Sequence, residues 1–95
     1  MDERIRQLRK EVESAHACKA RHERSTPITE GAEGQTIIEG MVESFSLKGH
    51  QEATRCYAWS YERGGEIYYT TLLELPPVDS PEKAVQIALA AQARQ

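Results

Sequence analysis

Between Arg55 and Leu75 the chain alternates aromatic and small residues in the manner of a β-hairpin. Tyr57, Trp59 and Tyr61 are interleaved with Cys56, Ala58 and Ser60, and Glu62-Arg63-Gly64-Gly65-Glu66 leads into Ile67-Tyr68-Tyr69-Thr70-Thr71-Leu72-Leu73. A period of two on both sides of a Gly-Gly pair predicts two antiparallel strands joined by a two-residue turn. That turn pairs Arg63 with Glu66, Tyr61 with Tyr68, Trp59 with Thr70 and Tyr57 with Leu72. One face then carries Tyr57, Trp59, Tyr61, Tyr68, Thr70 and Leu72, and the other carries Cys56, Ala58, Ser60, Ile67, Tyr69, Thr71, Leu73 and Leu75. Five of the six aromatic residues lie in this hairpin, so fold and binding surface are expected to be decided together.

The remaining elements are read around it. Ile5, Leu8, Val12 and Ala15 recur at three and four, which predicts a helix over residues 1–22 with Asp2 suited to its dipole. Ser25, Thr26, Pro27, Gly31 and Gly34 predict a connector over 24–34. Residues 35–47 read as a strand, with Gly40 expected to mark a bulge or a close backbone approach. Pro76 and Pro77 end the third strand, and Ser80-Pro81-Glu82 predicts a capped start to a C-terminal helix. The expectation is one α+β domain over 1–95, ordered α-β-β-β-α, with a three-stranded antiparallel sheet, an N-terminal and a C-terminal helix, and the sheet and last helix within 35–95.

Composition sets limits on the function classes. Hydrophobic residues at 39% are too many for a disordered chain and too few for a membrane protein. No apolar run approaches a bilayer span and no apolar leader follows Met1, so a cytoplasmic address and no membrane partner are expected. The net charge of −3 divides unevenly. Residues 1–24 hold seven Lys or Arg against five acids, and 25–95 hold five against ten. A weakly basic helix on an acidic body is not the concentrated basic face that nucleic acid requires. Two cysteines in such a chain are expected to be free thiols.

Candidate chemistry is sparse. Cys18 and His22 would share a helix face at i, i+4, a weak metal pair with no further ligand near in sequence, and His16 would project elsewhere. Cys56 has neither a neighbouring His nor a helix N-terminus to activate it. Glu39 and Glu43 alternate with Met41, and with His50 and Arg55 they are candidate polar contacts for a ligand held between the sheet and the N-terminal helix. No nucleophile–base pair, phosphate loop or cofactor motif is visible, so no cofactor is expected and binding or assembly is favoured over catalysis. The small-residue face suits the alanine-rich C-terminal helix. That placement leaves Tyr57, Trp59, Tyr61 and Tyr68 to be covered by the N-terminal helix in cis or in trans, by a second chain, or by a ligand. A homodimer closed over this aromatic face is the leading expectation.

Two resemblances bear on this reading. The α-β-β-β-α order with a Gly49-His50 loop resembles a double-stranded RNA-binding domain. In that family the last helix opens with clustered lysines. Here Ser80-Pro81-Glu82-Lys83-Ala84-Val85 offers one lysine beside an acid, which implies a degenerate member at most. Gly49-His50-x-x-Ala53-x-Arg55-Cys56-Tyr57-Ala58-Trp59-Ser60, with Pro76-Pro77-Val78-Asp79-Ser80-Pro81, resembles a group of short bacterial proteins with no assigned activity. That likeness runs from about Cys18 to Ala90. It implies a bacterial, cytosolic protein and transfers no site residues.

Overall fold

The computed structural model describes residues 2–30 and 38–93. They form α1 (Glu3–His16), β1 (Lys19–Glu30), β2 (Ile38–Lys48), β3 (Arg55–Arg63), β4 (Glu66–Leu73) and α2 (Pro81–Ala93). The four strands make one antiparallel sheet in the order β1-β2-β3-β4. The sheet therefore has four strands where three were expected. The sequence positions 31–37, which include Gly31, Gly34 and the expected start of the strand at Gln35, lie outside the described residues.

The additional strand follows from an early stop in α1. Asp2 caps the helix, its Oδ1 accepting from the backbone N–H groups of Arg4 at 2.7 Å and Ile5 at 3.4 Å. At the far end Ala17 takes the left-handed conformation, with φ 50° and ψ 50°. Glycine ordinarily holds that position, and its absence hides the stop from a reading of the sequence. Residues 17–22 are consequently not helical. From Lys19 the chain runs as an edge strand antiparallel to β2, with Pro27 opposite Met41. An edge strand bonds on one side only, so a residue without an N–H is tolerated and charged side chains guard the free side.

The bulge lies in β1 and not at Gly40, which pairs regularly with Ile28. His22 opposes Phe45 and Arg24 opposes Ser44, leaving Glu23 as the extra residue. One inserted residue reverses the alternation beyond it. His22 and Ser25, three apart and so on opposite faces of a regular strand, both end on the α1 face.

The hairpin matches its expected register, with Tyr61 opposite Tyr68, Trp59 opposite Thr70 and Tyr57 opposite Leu72. Gly64 and Gly65 have φ of 62° and 81°, the double positive φ of a type I′ turn. Helix α2 begins as expected: Ser80 Oγ accepts from the Lys83 N–H at 3.1 Å, and Pro81 occupies the first turn.

The helices cover the two faces in the reverse of the expected arrangement. Leu8 and Val12 of α1 pack on Ala20, Phe45, Cys56 and Ala58, with Ile5 at the margin. Ala15 is exposed. Ala84 and Val85 of α2 pack with Ile28, Val42, Tyr57, Trp59 and Val78. Volume complementarity accounts for the exchange, since small helix residues admit bulky rings and larger helix residues fill the space over Ala20, Cys56 and Ala58. Among the described residues no helix is long and apolar enough to cross a membrane.

Candidate functional site

Two polar clusters flank the Glu23 bulge, one on each face of the sheet. Beneath α1 lies Glu43, fully buried. Its carboxylate accepts from the guanidinium of Arg4, from the hydroxyl of Ser25, and from His22 Nε2 at 2.8 Å. Burial alone would raise the carboxyl pKa, but the three donors and the charge of Arg4 outweigh it, and the group is held below the ordinary carboxylate range. A carboxylate so satisfied is a weak base.

The presence of Ser, His and Glu together invites comparison with a hydrolytic triad, and the geometry rejects it. In a triad one imidazole nitrogen faces the serine and the other faces the acid. Here Ser25 Oγ stands 3.4 Å from the same Nε2 that meets Glu43. Ser25 gives its proton to the carboxylate, so no free base remains to activate it. The arrangement ties α1 to β1 and β2.

On the α2 face, Arg55 Nε donates to Glu23 at 2.9 Å and its Nη1 lies 3.4 Å from both oxygens of Glu74. The Tyr57 hydroxyl donates to Glu74 as well. Both carboxylates favour the charged guanidinium and raise its pKa. Burial, then the bond to Glu74, pushes the Tyr57 phenol up to about 12. Beside this group a cavity of about 280 Å³ opens between the bulge and the first turn of α2, lined by Glu23, Arg24, Ser44, Arg55, Tyr57 and Pro81.

The expected site residues are thus dispersed. Glu43 lies on the α1 face and Arg55 on the α2 face. His50 sits in the loop between β2 and β3, where Nδ1 accepts from the N–H groups of Glu52 at 3.1 Å and Ala53 at 3.0 Å. That role places its neutral-form proton on Nε2 and makes it an organiser of the loop. Glu39 pairs through its backbone with Thr29, and its side chain lies outside the described residues. Cys18 follows the end of α1 while His22 is on β1, so the helical metal pair does not form. Among the described residues no group of three metal-binding side chains is found. Both cysteines are free. Burial raises the Cys56 thiol to about 12, and burial followed by Glu13 raises that of Cys18.

Of the aromatic face, Tyr57 and Trp59 are 3% and 2% exposed beneath α2. Neither the N-terminal helix nor a second chain is what covers them. Tyr61 is half-buried and stacks on Tyr68 with ring centroids 5.5 Å apart. Tyr68 is exposed, as are Ile67 at 59% and Tyr69 at 38%. Among the described residues three of the four exposed large apolar side chains thus lie on β4, the outer strand opposite β1, and the fourth is Met41 on β2. Compared with protein-family models, curated proteins and solved structures, the chain matches none of them.

Arg4, Glu23, Ser25, Ser44 and Glu74 do not stand out in the sequence, because the bulge and the extra strand assemble them. Each is separated from its partners by a change of element.

Proposed function

We propose that this protein is a homodimeric assembly module in which two copies join antiparallel through β4. The observation that carries the reading is the contrast between the two sheet edges. Strand β1 holds Lys19, Arg21, Glu23, Arg24 and Pro27, the features by which proteins protect an edge from pairing. Strand β4 has no charged residue from Ile67 to Leu73, and it exposes Ile67, Tyr68 and Tyr69. Strand addition would satisfy its outward backbone groups and cover those side chains, giving a continuous eight-stranded sheet.

Charge selects the register. A twofold axis at Thr70 sets Glu66 against Glu74 of the partner, a like-charge pair. An axis at Tyr69 pairs Ile67 with Thr71 and Tyr68 with Thr70, and leaves each Glu66 opposite Leu72. The hydrogen-bond phase of the hairpin suits an axis at either residue, so the Glu66–Glu74 repulsion makes the choice. The pair that closes a two-residue turn is hydrogen-bonded, so Glu66, Tyr68, Thr70 and Leu72 bond to β3. Ile67, Tyr69 and Thr71 are left to exchange bonds with a second copy.

Sedimentation velocity over a micromolar concentration series tests the proposal. The dimer reading expects a species of twice the 10.7 kDa chain mass, lost in Tyr69→Lys with the fold retained. A monomer at every concentration refutes it.

A further inference from the structure

The cavity at the Glu23 bulge has a surplus of hydrogen-bond donors, and it is separate from the β4 edge. Arg55 spends Nε on Glu23 and Nη1 on Glu74, while its Nη2 has no partner among the described residues. Arg24 also lines the cavity and meets no carboxylate within salt-bridge distance among the described residues. A guanidinium offers five N–H donors and no acceptor. The acceptors in reach, Glu23 and Glu74, are already engaged by Arg55 and Tyr57.

Ser44 supplies the second, independent observation. It is 5% exposed, and its hydroxyl lines the cavity with no hydrogen-bond partner among the described residues. By contrast, the Ser46 hydroxyl, on the same face, reaches the Arg21 carbonyl at 3.5 Å. Among the described residues Arg9 Nε is the one buried side-chain polar atom without a partner, so the Ser44 hydroxyl keeps its contact with solvent through the cavity and is available to bond a ligand there. The first turn of α2, at Pro81, forms the opposite wall and brings the positive end of the helix dipole to the same space.

We propose that this cavity binds the carboxylate of a small organic acid, held by Arg24, by the unspent edge of Arg55 and by the Ser44 hydroxyl. Volume limits the ligand. About 280 Å³ is roughly nine times the liquid share of one water, room for a short-chain acid and too little for a nucleotide. Charge limits it further. Glu23 and Glu74 balance the two arginines, so the site has no excess positive charge: a singly charged carboxylate held by directed hydrogen bonds is disfavoured less than a phosphate, whose second charge meets the carboxylates. The bulge is what makes the site, because it turns Glu23 and Arg24 together towards α2.

The test is a heteronuclear NMR titration of the full chain with sodium propionate. Propionamide, sodium phosphate and sodium chloride at matched ionic strength are the comparison arms. The proposal expects saturable shifts at the Ser44 amide and the Arg55 Nε–H with propionate, and none with propionamide or chloride. It expects phosphate to bind more weakly than propionate. Arg24→Gln, at an exposed position compatible with folding, is expected to weaken propionate at least tenfold, as is Ser44→Ala. Shifts that stay linear, affinity unchanged in both variants, or phosphate binding more tightly than propionate would each overturn it. The outcome is independent of whether β4 pairs with a second copy.

Discussion

Replacing Glu43 with glutamine removes a buried charge while keeping the side-chain volume. In the native protein the carboxylate is fully buried, whereas the Arg4 and His22 side chains retain 37% and 23% exposure. Breaking a buried ion pair costs about 3–5 kcal/mol when the surviving partner stays desolvated. Arg4 and His22 can recover water by small movements, which places Glu43→Gln near the lower end, about 3 kcal/mol at neutral pH. For a chain of this size that is a fall of roughly 12–24 °C in Tm. The pH dependence supplies a sharper signature. The folded carboxyl lies below the ordinary value of 4.5, so between the two the unfolded chain holds more protons than the folded one. The stabilisation is complete above 4.5 and is lost as pH falls through the folded value. Urea unfolding of both proteins from pH 7 to pH 3 is the assay. The difference in stability should shrink steadily below 4.5. A gap under about 1 kcal/mol at pH 7, or one that does not change with pH, would show that the cluster does not hold α1 to the sheet.

Four further outcomes follow from the same geometry. Trp59→Ala should cost about 3–5 kcal/mol by thermal or urea unfolding, because the ring is core beneath α2. Ala17→Gly should stabilise the fold by about 0.5 kcal/mol, since glycine relieves the left-handed strain at the end of α1 but loses more chain entropy. Deleting Glu23 should leave the strand pairing intact, because His22 and Arg24 already face consecutive residues of β2; near-native chemical shifts outside the bulge would bear that out. Burial, then His50, lowers the His16 pKa from 6.5, so its contribution is full above that value and is lost as pH drops below it; His16→Gln should flatten that part of the stability profile.

Legibility in the sequence tracked how local the determinant was. The hairpin register could be read because alternation and the Gly64-Gly65 turn are both confined to one short stretch. The start of α2 could be read because Ser80 and Pro81 carry their capping chemistry in their own side chains. The end of α1 could not, since Ala17 carries no glycine signal and the charged residues after it suit a helix as well as an edge strand. Pro27 argued for a loop, yet an edge strand leaves its missing N–H on the solvent side. Placing α2 on the small-residue face matched small with small, whereas packing favours large against small. The two polar clusters depended on all of this at once. With β1 unread, Ser25 and Glu23 have no register, and His22 falls on a helix beside Cys18.

Amide hydrogen exchange along β4 tests the central proposal most directly. In a pair centred on Tyr69, the amides of Ile67, Tyr69 and Thr71 are protected along with those of Tyr68, Thr70 and Leu72, and their protection rises with protein concentration. If the first three exchange as open amides at every concentration while the second three stay protected by β3, the strand has no partner and the assembly reading is wrong.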